Sequence, residues 1–443
     1  MNTREPFVVS YRPPPAERSL AGEVYPVAVI VCAIGFFLRI LLSGPVLNII
    51  GIPYGSEDAP TIGKIHPGTY FIIASLLVLI LSRGNPLDGL LRVARRQTAF
   101  FIFLAIYVLI IFYWALRNPE GIGVLIDTHI VIPICAIVFS YATLRQCRMI
   151  VYSYAGIAIV NSVIGIFESL THIRIFPFDP SWEVLQQDYF RASALLGHPL
   201  TNACFTAVSL FIVMGLRLRP GLKAFAFVVM LVSLVGFGSR SALGFAAMGL
   251  VVLGLIGIRK SFLSKNMTVM RLMLIVLGVM LIPALCVALI YAAMHSEMGA
   301  RLMAYDSLHD ESATARLVAL HVIDFMSPHD LLFGMSSDQI TAISSQEGLA
   351  NPADIENPWI LMFMFLGIFM FTLWFLGLAG FVWRLMAGSS PALQLAIIEY
   401  FCIASTSNSF ARKDPILIFL GGIVVCVNRL QKLENINHRE TRP

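Results

Sequence analysis

Long apolar runs separated by short polar joints occupy the chain from residue 25 onward. A helix needs about 20 mainly apolar residues to cross the hydrocarbon layer of a bilayer. Because unpaired backbone groups are costly in lipid, each apolar run predicts a membrane-spanning helix, with Gly- and Pro-rich stretches such as LSRGNPLDG in the loops. Twelve spans are predicted, near residues 25–43, 68–82, 98–116, 121–142, 150–169, 199–215, 222–237, 241–258, 272–293, 358–383, 391–407 and 414–429.

Composition agrees with an all-α polytopic membrane protein. The 443 residues are 58% hydrophobic and 13% charged, and the mean hydropathy is +0.80. The net charge of +5 does not indicate a nucleic-acid partner, because the 31 Lys and Arg residues are scattered in small loop clusters. The seven cysteines lie in or beside apolar runs without a CxxC pair, so neither disulfides nor a metal cluster are expected.

Basic residues are distributed unevenly between the loops on the two sides of these spans. With a cytoplasmic amino terminus, the inner loops at 83–97, 143–149, 216–221, 259–271 and 384–390 carry four, two, two, four and one basic residues. The outer loops are together much longer and hold nine. Cytoplasmic loops are enriched in Lys and Arg, so both termini are expected to be cytoplasmic.

The largest predicted outer loops cover residues 170–198 and 294–357. Neither loop is low-complexity or repetitive, so each is expected to fold against the membrane domain. The polar amino-terminal segment contains three consecutive prolines and lacks the pattern of a signal peptide. We therefore expect a disordered cytoplasmic tail over 1–24, a single transmembrane domain over 25–429 and a cytoplasmic tail over 430–443.

Four arginines in the outer loops lie beside other polar or small residues. Arg191 begins RASALLGHPL, which also contains His198; Arg240 lies within GFGSRSALG; and Arg301 and Arg316 belong to the largest loop. Guanidinium groups suit bidentate contact with phosphate oxygens, such as those of a lipid-linked pyrophosphate. The alternative is that single arginines extend to lipid headgroups, and that GFGSRSALG is a tight helical hairpin.

The largest loop contains HDESATARLVALHVIDF, where Asp310 or Ser312 suits a helix N-cap and Arg316 follows one turn later. His321 falls among apolar residues at helical spacing, which indicates a packed face residue rather than a ligand. Histidines and acids recur in this loop, but no HxxxH or HExxH spacing is present, so no metal is expected.

Five ionisable residues fall inside or at the ends of predicted spans, where charge is expensive unless it is paired or hydrated. They are Arg39, Asp127, His129, Glu168 and Glu399. Asp127 and Glu168 are placed in the outer halves of their helices, where they either face an outward cavity and steady the outer arginines or form structural pairs. Arg39 and Asp127 are the first pair to test.

These motifs together carry a resemblance to a known family. GHP after Arg191, GSR ending at Arg240, DESATAR ending at Arg316, and the closing stretch ENPWILMFMFLG resemble the O-antigen ligase/polymerase family. The similarity spans most of the chain, from KIHPGTY to Arg412. It implies a membrane-embedded, type C-like, metal-independent glycosyltransferase that acts on undecaprenyl-pyrophosphate-linked glycans at the outer face of the bacterial inner membrane.

The resemblance also implies roles for single residues. Arg191, Arg240 and Arg316 match the family's outer arginines, and arginines that bind the departing diphosphate more tightly in the transition state accelerate transfer. The implied catalytic residues are Glu356, Arg240, Arg316 and His198, and the implied substrate-binding residues are Arg191, Arg301, Asp310, Ser312 and Asn357.

The closing stretch departs from the pattern of the ligases in this family. They carry His, then Asn, Ser or Gln, then nine residues and Gly, whereas this chain has Glu356, Asn357, nine residues and Gly367. A carboxylate can still act as general base towards an acceptor hydroxyl. The alternative is that Glu356 and Asn357 only cap the following helix.

The presence of Glu356 in place of histidine favours a polysaccharide polymerase of exopolysaccharide or O-antigen biosynthesis over a ligase that acts on lipid A core. Expected partners are the lipid-linked donor, a lipid-linked acceptor, the bilayer, and chain-length or export proteins. A ligase is the alternative within the same class. A lipid-linked sugar transporter or flippase is the alternative from a different class, supported by Arg39 and Glu399.

Overall fold

The computed structural model describes residues 17–54, 64–82, 84–117, 122–178, 190–262, 321–346, 355, 357–406 and 413–440, with eight residues between 269 and 291. These residues form helices joined by turns and loops. Seven helices are long and apolar enough to cross a membrane, or eight if the bent pair Pro67–Leu81 and Pro86–Arg96 counts as one span. The chain is therefore a multi-pass, all-helical membrane protein.

A short 3-10 helix covers Val322–Phe325, and fifteen α-helices have described bounds. They are α1 Glu17–Leu41, α2 Gly44–Ile49, α3 Pro67–Leu81, α4 Pro86–Arg96, α5 Thr98–Ala115, α6 Ile122–Phe139, α7 Leu144–Thr171, α8 Pro199–Gly215, α9 Pro220–Phe237, α10 Arg240–Phe262, α11 Pro328–Phe333, α12 Ser337–Gln346, α13 Pro358–Met386, α14 Pro391–Ala404 and α15 Ile416–Glu440. Three apolar helices are shorter than the seven spans: Tyr25–Leu41 within α1, the 17-residue α8 and the 14-residue α14.

Many of these helices begin at a proline, whose fixed φ and missing N–H suit the first helical position. His66 and Asn85 precede two such prolines, and their side chains accept from the backbone N–H groups of Gly68 and Leu87. α7 instead begins with a capping box, in which Thr143 and Gln146 satisfy each other's backbone N–H groups. Local sequence therefore fixes where many of the helices start.

The first and last helices extend into the two predicted tails. α1 begins at Glu17, so residues 17–24 of the expected disordered segment are helical, and α15 continues to Glu440 through most of the expected carboxyl-terminal tail. Hydropathy identifies only the apolar part of a helix, whereas Glu, Ala and Leu favour helix beyond the hydrocarbon layer as well. The helices are longer than their apolar cores for this reason.

The burial of the spans and one close helix crossing show how the bundle is packed. Among the seven spans, α6 and α15 are the most buried, with 78% and 72% of their apolar windows buried, against 22% for α10. α1 and α3 cross with their backbones in contact, because a Cβ on Gly35 would lie 2.4 Å from the Gly68 carbonyl oxygen. Small residues at such crossings allow close helix packing within a membrane.

Contacts between helix ends define two ends of the bundle. At the first, which we call the Lys413 end, Lys413 contacts the segment between α1 and α3, and Trp359 at the start of α13 donates to Ser405 after α14. At the second, the Glu434 end, Glu434 pairs with Arg148 at 3.1 Å and Arg217 at 3.4 Å. Most predicted site residues that are described lie at the Lys413 end.

Candidate functional site at the Lys413 end

A π-helical segment over Leu125–Ile130 interrupts α6 and directs polar side chains into the bundle. Asp127, Thr128 and His129 are all buried. π-Helical turns are rare and occur frequently at functional sites. Trp Nε1 can only donate, so Trp374 donates to the Tyr107 hydroxyl, and this hydroxyl is also hydrogen-bonded to Nδ1 of His129 at 3.1 Å.

Asp127 is the centre of a buried hydrogen-bond network. Its Oδ1 accepts from Arg39 Nη1 at 2.8 Å, from Thr69 Oγ1 at 2.6 Å and from the backbone N–H of His66 at 3.0 Å. Its Oδ2 accepts from the Tyr54 hydroxyl at 2.5 Å. The predicted pairing of Arg39 with Asp127 is confirmed, and both side chains are almost fully buried. Four donors compensate the carboxylate for its loss of water.

Lys413 joins this network from the loop before α15. Its ammonium donates to the carbonyl oxygens of Tyr54 at 2.8 Å and Lys64 at 2.7 Å, and lies 3.9 Å from the Tyr54 ring centroid. Burial, with the nearby charges of Lys64 and Arg39, lowers the pKa of Lys413 to about 8, and the Asp127 carboxylate opposes the shift. Lys413 therefore remains mostly charged at pH 7.

His66 has a structural role that its contacts define. Its Nδ1 accepts from the Gly68 N–H at 2.9 Å, so the ring proton is on Nε2, which donates to the Leu42 carbonyl oxygen at 2.8 Å. Burial and the charge of Arg39 lower the pKa of His66 to about 4. His66 is therefore a neutral cap of α3 at physiological pH.

A cavity of about 160 Å³ lies beside this network, and we call it the cationic cavity. It is lined by Arg39, Ser43, His66, His198 and Lys413, among other residues, and none of the described residues that line it is acidic. Within the described part of the chain, the buried Arg39 Nε and Ser43 Oγ atoms have no hydrogen-bond partner. The cavity therefore combines positive charge, unused donors and room for several water molecules, which suits a small anionic group.

The loop RASALLGHPL is held by three polar side chains of the flanking helices. Glu168, at the end of α7, accepts from the N–H groups of Ser193 at 2.8 Å and Ala194 at 2.9 Å through one oxygen, and from Ile175 at 2.9 Å through the other. Asn161 accepts from Leu195, and Asn202 donates to the carbonyl oxygens of Ser193 and His198 and accepts from the N–H group of Leu196. The described contacts of the Glu168 carboxylate are therefore with backbone N–H groups, and the loop places His198 at the cavity.

Arg191 and Arg240 lie near one tight turn outside the lining of the cationic cavity. Arg191 is buried, and its Nε donates to the Phe237 carbonyl oxygen at 3.1 Å. Gly238 has a φ of +64°, and a Cβ placed there would lie 3.4 Å from Arg191 Nε. Arg240 begins α10 with an exposed side chain. The fold therefore brings Arg191 to the turn that carries Arg240, and brings His198 to Arg39 and Lys413.

The other predicted site residues are placed as follows. Arg301, Asp310, Ser312, Arg316 and Glu356 lie outside the described residues. Asn357 caps α13, where its side-chain oxygen accepts from the N–H groups of Trp359 at 3.1 Å and Ile360 at 3.2 Å.

Sequence reasoning did not select Lys413, Tyr54 or His66 as site residues. Lys413 was counted only as one of the basic residues of the outer loops, and His66 only as part of KIHPGTY. A histidine directly before the proline that starts a helix is a signal for an N-cap. Nothing in the sequence indicates that Lys413 contacts Tyr54, which lies 359 positions earlier.

No protein-family model matches this chain, and no curated protein is significantly similar to it. A proposal about function therefore depends on the chemistry of the cationic cavity and of the loop that carries His198.

Proposed function

We propose that this chain is a bacterial polysaccharide polymerase that transfers an undecaprenyl-pyrophosphate-linked oligosaccharide to a lipid-linked acceptor. In this proposal, twelve helices span the inner membrane, both termini are cytoplasmic, and the Lys413 end faces the periplasm with the large loop 294–357. The uneven distribution of Lys and Arg between the loops supports this orientation.

The observation that carries the proposal is the cationic cavity at the same end as RASALLGHPL. Asp127 offsets the charge of Arg39, and Lys413 adds a positive charge that no described lining residue offsets. An anion gains charge-assisted hydrogen bonds in such a cavity. A diphosphate is the anionic group of a lipid-linked sugar donor, so one of its phosphates matches the charge and the size of the cavity.

The proposed reaction needs positive charge where the leaving group develops negative charge. The acceptor hydroxyl oxygen attacks the anomeric carbon, and the bond from that carbon to the diphosphate oxygen breaks with its electron pair. The hydroxyl proton passes to Glu356 or His198 as general base. Arg191, Arg240 and Arg316 are the proposed groups, together with Lys413, that stabilise the departing diphosphate.

Two alternatives have specific support. A ligase uses the same donor and differs only in its acceptor, so the same cationic cavity supports it. A transporter or flippase for lipid-linked sugars is supported by Glu399 in α14, which is buried and has no described hydrogen-bond partner for Oε1. Intramembrane carboxyl groups of this kind occur along transport pathways.

Proteoliposomes that present lipid-linked repeats on the Lys413 side test the proposal. Lys413→Gln is expected to slow chain growth about 10- to 100-fold, because it removes a charge-assisted contact. Lys223→Gln is the matched control, since Lys223 donates to the Met214 carbonyl oxygen at the Glu434 end. Glu356→Gln and Arg240→Ala are expected to lose chain growth as well.

The outcomes separate the candidate functions. Chain growth that is unchanged in all three variants would contradict the polymerase proposal. Single transfer of a finished glycan without elongation would indicate a ligase. Movement of repeats across the bilayer without bond formation would indicate a flippase.

A further inference from the structure

Helix α4, at the Glu434 end, has three distinct faces formed by residues four positions apart. Gly89 and Val93 are buried, Leu87 and Leu91 are exposed by 62% and 44%, and Arg92 and Arg96 lie between these two faces. A helix with this division lies in the plane of a membrane interface, with leucines at the acyl boundary and arginines at headgroup level.

The position of α4 is fixed by a close backbone contact. A Cβ on Gly89 would lie only 2.0 Å from the carbonyl oxygen of Ile80, near the end of α3. Only a glycine permits this approach, and it folds α4 tightly against the end of α3. The arginine face is therefore held in one orientation relative to the bundle.

A third arginine, Arg429 of α15, lies beside Tyr141. It donates through Nε to the carbonyl oxygen of Ala142, the residue directly after Tyr141. Burial raises the pKa of Tyr141, and the positive charges of Arg96, Arg92 and Arg429 each oppose that shift, so all three arginines interact electrostatically with Tyr141. The Tyr25 ring packs against the Tyr141 ring, with 5.2 Å between the two ring centroids.

We propose that Arg92, Arg96, Arg429 and Tyr141 form a binding site for the headgroup of an anionic phospholipid in the leaflet at the Glu434 end. Three guanidinium groups and a phenol provide donors for phosphate oxygens. The exposed Leu87 and Leu91, with Leu81 at the end of α3 exposed by 56%, provide an apolar boundary for acyl chains. Asp88 is the acidic residue of α4, and it lies in the first turn, at the opposite end from Arg96.

The combination of charge and apolar surface selects a phospholipid rather than a free anion. A soluble phosphate uses the arginines but gains nothing from the leucines, whereas a phospholipid contacts both. This site lies at the opposite end from the cationic cavity, so it does not depend on the proposed polymerase function.

Native mass spectrometry of the full chain tests the site. The purified protein, equilibrated with equimolar phosphatidylglycerol and phosphatidylcholine, is expected to retain phosphatidylglycerol selectively. Arg92→Gln/Arg96→Gln is expected to weaken this binding about 30-fold or more, because it removes two charge-assisted contacts with the lipid phosphate. Arg95→Gln/Arg145→Gln is the matched control, because it removes two exposed charges outside the Tyr141 cluster.

Arg92→Lys/Arg96→Lys keeps the charge and is expected to retain most of the binding, which separates lost binding from misfolding. Equal retention of the two lipids, or unchanged phosphatidylglycerol binding in the Gln variant, would overturn the proposal. Inorganic phosphate that displaces phosphatidylglycerol at equal concentration would also overturn it, because the acyl boundary would then contribute nothing.

Discussion

The guanidinium of Arg39 and the carboxylate of Asp127 lie 2.8 Å apart, with their side chains exposed by only 2% and 0%. The pair joins α1 to the π-helical segment of α6, and Thr69, Tyr54 and the His66 backbone N–H complete the shell of the carboxylate. Breaking a buried pair by removing one partner leaves an uncompensated charge, whereas replacing both partners avoids that cost.

Arg39→Met and Asp127→Leu are each expected to lower the free energy of unfolding by about 3–5 kcal/mol. The double variant is expected to be more stable than either single variant, because no lone charge remains in the bundle. Thermal unfolding of the four proteins in detergent measures the coupling. Strictly additive losses would show that the two groups act independently.

Glu168→Gln is expected to loosen the loop RASALLGHPL. An amide has one acceptor oxygen where the carboxylate has two, so the N–H groups of Ile175 or of Ser193 and Ala194 lose their partner. We expect a loss of about 3 kcal/mol and faster amide hydrogen exchange across residues 191–198. Ser169→Ala is the control, since the described hydrogen bond of its hydroxyl is to Gly165 of the same helix. Equal rates of amide hydrogen exchange in both variants would contradict this role of Glu168 in holding the loop.

Anion binding in the cationic cavity is expected to weaken as the pH rises through about 8, where Lys413 loses its charge. Its pKa is lowered by burial, so the charge is present below pH 8 and absent above, and a bound anion shifts the midpoint upwards. Calorimetric titration with sulfate, whose charge is constant over this range, measures the effect. Lys413→Arg is expected to bind sulfate equally from pH 6 to 10, and a flat wild-type profile would contradict this role.

Gly367→Ala is expected to destabilise α13 by about 3 kcal/mol or more. Gly367 has φ +64° and ψ 173°, a conformation almost restricted to glycine, and an added Cβ would lie 2.4 Å from the Gly334 backbone nitrogen. Gly380→Ala on the same helix is the control, because a Cβ there meets nothing within 4 Å. Gly380→Ala is expected to be neutral or slightly stabilising in the same unfolding measurement. A Gly367→Ala variant as stable as Gly380→Ala would contradict this role of the Gly367 backbone conformation.

The sequence predicted the membrane class and the position of many helices because apolar runs of sufficient length have few other structural solutions. α8, for example, covers Pro199–Gly215, the range predicted for it. The pair Arg39 and Asp127 was also predictable, since a charge inside a span needs a partner.

The rotation and packing of the helices were not predictable in the same way. Helices such as α5 are apolar on all sides, so no polar face indicates which side contacts a neighbour. The π-helical segment and the contact of Lys413 with Tyr54 depend on tertiary packing over long sequence separations. For this reason the cationic cavity was found only from the structure, although His198 and Arg39 had been singled out from the sequence.

The shortness of α14 bears on how the cationic cavity meets the bilayer. Fourteen helical residues span roughly 21 Å, about 9 Å less than a typical hydrocarbon layer. With Pro391 at one interface, α14 ends about 9 Å below the opposite surface, and we expect the loop that follows, which carries Lys413, to begin at that depth. An anion that enters the cavity loses much of its water, and each electrostatic contact at this depth is stronger than the same contact among the headgroups.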